Sequence, residues 1–327
     1  MAETDPQAQD WKVQEVVDGI WAIESRLGPR AFFQHVCLDE RALLVDAGVR
    51  TTAAAILEPA LGQLDAADRL AYVTITHADV DHCGGAAEIL AAHPRAALTA
   101  HEADRVWVEQ PQRLHVERYG WYEAEGLGYP QSAVDWLASE AGGEARVELA
   151  IRGGERIALG PRLTLSLLHL PGHTAGHIGL FEPTSRTALI GDAVLARGLV
   201  DGEGEVVQPP SYFDRRAYRT TIASVRALDA DRLLTAHYPP LEGGAVREFL
   251  DAAEAFDEEL AAVVGDALRA GGTLSLAEVT AAADERLGPF SSMPNELAGP
   301  VRCHLDELVV RGEASRHQGR PARWSAR

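Results

Sequence analysis

Up to about residue 245, short apolar runs alternate with alanine-rich stretches of helical period, the pattern of strands layered against helices. Trp21–Glu24 and Ala42–Val45 read as strands, the second running straight into Asp46-Ala47-Gly48. Leu70–Thr76 is a β-rich run that stops at His77, and Gly84-Gly85 then opens a helix over Ala86–Ala92 whose N-terminus faces the loop before it. Leu163–Leu170, Ala188–Ile190 and Arg232–Thr235 are three further strand-like runs, each ending in a polar motif. A helical-looking insertion over about 102–150 concentrates Trp107, Tyr119, Trp121, Tyr122, Tyr129 and Trp136. One reading makes these rings a substrate wall or lid, and the other packs them onto the main body.

Past residue 245 the pattern changes. Val246–Val264 is a long amphipathic helix, Ser275-Leu276-Ala277-Glu278 is a capping box opening a second, and a third covers roughly Val301–Arg311. Ala314–Gln318 and Ala322–Ser325 then flank Gly319-Arg320-Pro321 as a hairpin, an order that resembles a winged helix. The chain therefore divides into 1–245 and a small, mostly helical 246–327. No flexible linker joins them, so the second part is expected to be docked on the first.

At 327 residues, with 46% hydrophobic and 24% charged residues, the chain can bury a large core. No apolar run approaches the roughly 18–20 residues of a membrane helix. Met1–Gln14 is polar and acidic, without the layout of a secretory leader, which points to the cytoplasm. Cys37, Cys83 and Cys303 are too scattered for a disulfide framework or a zinc knuckle and read as small packing residues. The net charge of −19 opposes nonspecific binding of nucleic acid by the whole surface, although Arg311, Arg316, Arg320, Arg323 and Arg327 make the tail locally basic. That tail reads either as a nucleic-acid wing or as a buttress or homodimer contact.

The chemistry concentrates after Thr76. In His77-Ala78-Asp79-Val80-Asp81-His82 four side chains able to hold a metal follow one strand, and a tight loop backed by glycines can turn them into one cavity. His173 in Pro171-Gly172-His173-Thr174, Asp192 after Gly191 and His237 before Tyr238-Pro239 arrive at the ends of later strands, where α/β folds place their sites. His177 also falls nearby and reads as structural.

The order Asp46, His77-x-Asp79-x-Asp81-His82, His173, Asp192 and His237 closely resembles the five motifs of the metallo-β-lactamase superfamily over about residues 10–245. The resemblance implies an α/β fold, an αββα sandwich with two metal ions, most commonly zinc, at one sheet edge. It further implies that His77, Asp79 and His173 hold the first ion, that Asp81, His82 and His237 hold the second, and that Asp192 bridges them. Asp46 would orient the ligand loop. Two such cations lower the pKa of a shared water and polarise the bond under attack, and Asp81 is expected to receive or orient the proton.

Asp79 departs from the usual pattern, which has histidine there. Asp79, Asp81, Asp192 and a bridging hydroxide would cancel two divalent cations, making the site electrostatically quieter, and the harder ligand opens it to iron or manganese. Gly198–Asp214, containing Pro209-Pro210-Ser211-Tyr212-Phe213, is long enough to act as a lid. Tyr212 is the expected donor to a substrate oxyanion, the alternative being that this run caps a helix. The expected function is hydrolysis of an ester, thioester or lactone of a small acyl metabolite. An iron-dependent oxidoreductase similar to the flavodiiron branch, and a nuclease or nucleic-acid-binding protein using the tail, are the alternatives.

Overall fold

The computed structural model describes residues 11–327. Met1–Asp10, on which the expectation about a leader largely falls, lie outside the described residues. A seven-stranded sheet runs in chain order: β1 (Lys12–Val17), β2 (Ile20–Leu27), β3 (Arg30–Leu38), β4 (Ala42–Val45), β5 (Leu70–Thr74), β6 (Ala97–His101) and β7 (Leu149–Ile151). Its first four strands are antiparallel and β4 to β7 are parallel. The second sheet begins with β8 (Arg156–Ala158), β9 (Thr164–His169), β10 (Ile178–Glu182) and β11 (Thr187–Gly191). The chain then leaves it as a small hairpin, β12 (Leu199–Val200) and β13 (Val206–Gln208), and returns as β14 (Arg232–Thr235) and β15 (Leu241–Glu242). The order is β15-β14-β11-β10-β9-β8, with β11 and β14 parallel.

Three apolar layers hold these sheets. Ile20, Leu43, Val45, Leu165, Leu180, Leu189 and Leu234 interleave between the two sheets. Leu44, Val73 and Leu98 face the other way, onto Ile56, Leu61 and Ile89 of the helical side. Ala188, Ile190 and Leu233 meet Tyr218 and Ile222 from the helix Arg215–Ala227 and Phe249 and Leu250 from the helix Gly244–Ala270. The result is helix, sheet, sheet, helix, the αββα sandwich. At one edge the sheets are tied directly, with Phe33 N donating to Ala236 O at 2.8 Å and Ile178 N donating to Thr76 O at 2.8 Å. That edge carries the carboxyl ends of β4, β5, β11 and β14.

The C-terminal region has its own core of Phe256, Leu260, Leu276, Val301, Leu305 and the fully buried Trp324. The helix Gly244–Ala270 extends beyond the sequence-based Val246–Val264, and the capping box at Ser275 and Glu278 opens Leu276–Leu287 as expected. The last helix spans Ala298–Val310. A strand β16 (Thr273–Ser275) that the sequence pattern did not suggest pairs with the terminal hairpin β17 (Ala314–His317) and β18 (Arg323–Ala326). The tail arginines are largely spent internally: Arg311 pairs with Glu307, Arg323 with Glu278, and Arg316 lies 5.6 Å over the Trp324 ring. The region is docked through Asp257, which takes Tyr212 Oη at 2.9 Å and the Arg215 guanidinium at 2.8 Å. No helix among the described residues is long and apolar enough to cross a membrane.

Candidate metal centre

Asp46 leaves β4 in the left-handed region, with φ 63°. For a residue other than glycine that costs about 1 kcal/mol or more and persists only where surroundings hold it. Its carboxylate accepts from Thr76 N at 2.7 Å, from Thr76 Oγ1 at 2.9 Å and from His82 Nδ1 at 2.8 Å. Thr76 Oγ1 in turn lies 3.0 Å from His77 Nδ1. With both Nδ1 atoms engaged in this way, the Nε2 atoms of His77 and His82 are the ones left for a ligand, and both are buried without a hydrogen-bond partner. His173 follows the same rule, giving Nδ1–H to Ser211 O at 2.7 Å.

The side chains singled out as metal ligands converge. His77, Asp79 and His173 form one group; His77, His82 and Asp192 a second; Asp81, His82 and His237 a third, the ligand atoms within each group lying within 4.8 Å of one another. Asp79 Oδ2 is 3.1 Å from His173 Nε2, and Asp192 Oδ2 is 3.2 Å from His237 Nε2 and 3.5 Å from His82 Nε2. Asp192 Oδ1 is buried and unpartnered. Clustered imidazole and carboxylate atoms with orphaned lone pairs suit divalent cations. Gly191 fits the close approach: φ is 48°, and a Cβ there would lie 2.9 Å from Thr76 Oγ1.

Charge in this cluster is finely divided. Burial opposes ionisation of Asp79 and Asp192, yet Arg118 beside the first and His237 and His82 beside the second hold both carboxyls well below the usual range. Against the same burial, Asp46 and Asp192 push His82 well above an ordinary histidine, and the Asp79 bond raises His173. Burial, reinforced by neighbouring imidazoles, lowers His77 and lowers His177 strongly. His177 is therefore neutral: its Nε2 accepts from Asp192 N at 3.1 Å, and its ring stacks on His77 with centroids 4.7 Å apart. It packs against two of the candidate ligands and belongs to none of the three groups.

Several partners had no clear signal in the sequence. Arg118, buried in the insertion, donates to Asp79 Oδ2 at 3.0 Å, and its guanidinium sits 4.1 Å from the Phe213 ring centroid. Tyr119 Oη bonds Asp79 Oδ1 at 3.3 Å and accepts from Val80 N at 2.9 Å. The charge-cancelled site expected from three carboxylates is thus corrected, because Arg118 adds one positive charge at Asp79. Asp104, also missed, ties the two ligand loops by accepting from Ala78 N, Thr174 Oγ1 and Gly176 N. An arginine set among aromatics at 118–122 and an aspartate just past a strand end were the only local hints.

The aromatic insertion divides. Tyr119, Tyr129 and Trp136 line the pocket, whereas Trp107, Trp121 and Tyr122 pack on Glu117, Phe213 and each other. From 198–214, Leu199, Gln208 and Ser211 reach the pocket. Tyr212 does not, which corrects its expected role. Its side chain is fully buried, its hydroxyl donates to Asp257 and lies 3.1 Å from His304 Nε2, and the neighbouring Asp214 caps the next helix. Proline-aromatic sequence and position were compatible with either face; in the fold the hydroxyl joins the buried polar cluster of Asp257, Arg215 and His304. Met293 and Glu296 from the C-terminal region complete the wall, with Glu296 accepting from Tyr129 Oη. The open space above the ligand atoms is only about 50 Å³.

Comparison with known proteins agrees with this geometry. The sequence profile of the metallo-beta-lactamase superfamily matches residues 36–237. The chain is 24% identical over 241 residues to the probable metallo-hydrolase YflN of Bacillus subtilis (strain 168), covering 70% of this chain and 87% of that protein. It is 25% identical over 211 residues to the acyl-coenzyme A thioesterase MBLAC2 of Homo sapiens, covering 59% of this chain and 70% of that one. Among solved structures, the metallo-beta-lactamase family protein TTHA1429 of Thermus thermophilus superposes with a TM-score of 0.73 at 20% identity, covering 96% of this chain and 100% of that chain.

Proposed function

The chain belongs to the metallo-β-lactamase superfamily, and on that premise we propose a hydrolase that uses two divalent cations to cleave a thioester of a small acyl compound, with esters and lactones as related substrates. The observation that carries this reading is the set of three overlapping ligand groups on one pocket floor, with buried Nε2 and carboxylate atoms lacking any partner. His77, Asp79 and His173 would hold one ion, Asp81, His82 and His237 the other, with Asp192 between them. Zinc suits the imidazoles; the three carboxylates also admit iron or manganese. Bound there, such cations lower the pKa of a water and polarise the substrate carbonyl.

The protein's own residues do the rest. Asp46, Thr76 and Ser211 fix which imidazole nitrogen faces the pocket. Asp81 is the least buried carboxylate of the loop, and its nearest cation-capable neighbour, His237, is 3.9 Å away. That freedom suits it to take the proton of the attacking water and pass it to the leaving thiolate. Tyr119, Tyr129, Trp136 and Leu137 exclude bulk water. Similarity to a protein described as an acyl-coenzyme A thioesterase supports the thioester as the bond cleaved. Residues 1–245 would form the catalytic unit and the winged-helix-like 246–327 its buttress. Chelator treatment should abolish turnover of a panel of thioesters and lactones, and zinc, manganese or iron should restore it. Undiminished turnover in metal-free protein would defeat the reading.

A further inference from the structure

Arg30 opens β3 and lines the pocket together with Asp79, Asp81, Asp192 and His237. It also lines an adjoining cavity of about 290 Å³ with Leu27, Pro29, Trp136 and Met293, so it stands where the two spaces meet. Its residue exposure is 8%. A guanidinium so far removed from water ordinarily has a carboxylate beside it. Arg118 has Asp79, and Arg215 has Asp257 and Glu307. Among the described residues Arg30 has no ion pair, and its one side-chain hydrogen bond goes to the neutral Gln208 Oε1 at 3.1 Å.

Of the nearby acids among the described residues, Asp81 is the one without a close partner, its nearest being His237 at 3.9 Å, and a cation on the ligand cluster would take up its charge; the others are engaged elsewhere. Asp201, bridged to Arg30 through the backbone, accepts on its carboxylate from the amides of Glu203 and Glu205. Asp79 is held by Arg118, Asp192 by His237 and His82, and Glu296 by Tyr129. Cations on the ligand cluster would further neutralise the acids of the floor. A fixed positive charge with free N–H donors therefore faces the substrate space, and the Gln208 amide, also in the wall, adds a donor of its own.

We propose that Arg30 and Gln208 form a carboxylate-binding subsite, so that the substrate carries a carboxylate a short distance from the bond that is cleaved. This deepens the hydrolytic reading and rests on it for the cleaved bond, not for the anion. The tight space over the ligands suits a short acyl chain, and the larger cavity beside Arg30 receives the remainder. The carboxylate lies on either the acyl side or the thiol side of that bond.

Two pairs of thioesters separate these cases: succinyl against butyryl on 2-mercaptoethanol, and butyryl on 3-mercaptopropionate against butyryl on 2-mercaptoethanol. A preference for the carboxylated member of at least one pair, by about tenfold or more in kcat/KM and mainly through KM, is expected. In Arg30→Met the ratio should fall to near one, with Arg30→Lys between. Gln208→Leu, which keeps the charge, should lower the ratio by a smaller factor and serves if Arg30→Met does not fold. Independently of turnover, succinate should raise the thermal midpoint of the unmodified protein, and succinamide should not. If no thioester is cleaved but the succinate shift is present and lost in Arg30→Met, the subsite stands and the hydrolytic reading falls. No preference in either pair, with equal shifts from succinate and succinamide, would overturn the subsite.

Discussion

Arg118 reaches out of the aromatic-rich insertion and places its guanidinium 3.0 Å from Asp79 Oδ2, on the ligand loop. Both side chains are buried, and the same carboxylate oxygen is 3.1 Å from His173 Nε2 and 3.5 Å from His77 Nε2. The pair carries no net charge, so at this position it matches the neutral imidazole that the superfamily pattern places there.

Removing the arginine leaves a buried carboxylate uncompensated. Arg118→Met should destabilise the metal-free protein by about 3–5 kcal/mol. Added zinc should recover part of that loss, because a cation at Asp79 then supplies the missing charge. Urea denaturation with and without zinc measures both quantities, and an identical loss in the two conditions would separate Arg118 from the metal centre.

Asp46 acts through His82, a proposed ligand, by accepting from its Nδ1. Asp46→Asn withdraws the acceptor from His82 Nδ1–H and weakens the grip on Thr76. Zinc affinity should fall by about 10–100-fold, with the fold retained. Competition against a chromophoric chelator reads the affinity, and circular dichroism checks the fold.

Tyr212 separates a supporting role from an oxyanion role. Tyr212→Phe deletes a hydroxyl that bonds Asp257 and leaves the pocket lining intact. A loss of about 1 kcal/mol in stability and a kcat within about twofold of the unmodified protein are expected. A fall in kcat of about a hundredfold, the usual effect of deleting an oxyanion donor, would restore the rejected role.

Asp257 gives the docked region a pH signature. Burial works against its ionisation, but His304 and Arg215 prevail and hold the carboxyl well below its ordinary 3.8. A depressed folded value means that the stabilisation is complete above the unfolded value and disappears as pH falls through the folded one. Asp257→Asn should cost about 3 kcal/mol near pH 7, and the gap to the unmodified protein should close as pH drops below about 4. A gap that stays constant down to pH 2 would contradict this assignment.

The strands Ala42–Val45 and Arg232–Thr235 and the helix Ala86–Ala92 were legible to the residue, because each is an uninterrupted run between strong stop signals. β3 was not, since buried Gln34 and His35 interrupt its apolar pattern. The clustering of His77, Asp79, Asp81 and His82 was legible because these side chains sit within a few residues of each other. Arg118 and Asp104 gave no comparable signal: each acts on a partner far along the chain, and only folding brings them together. Tyr212 lay beside a true pocket residue, Ser211, and one step along the backbone turned it to the opposite side.

The metal centre itself is tested most directly by anomalous diffraction from crystals grown with excess zinc. Two peaks are predicted, one enclosed by His77, Asp79 and His173 and one by Asp81, His82 and His237, with the Asp192 carboxylate between them. A well-ordered crystal showing no anomalous peak at these side chains would contradict the account.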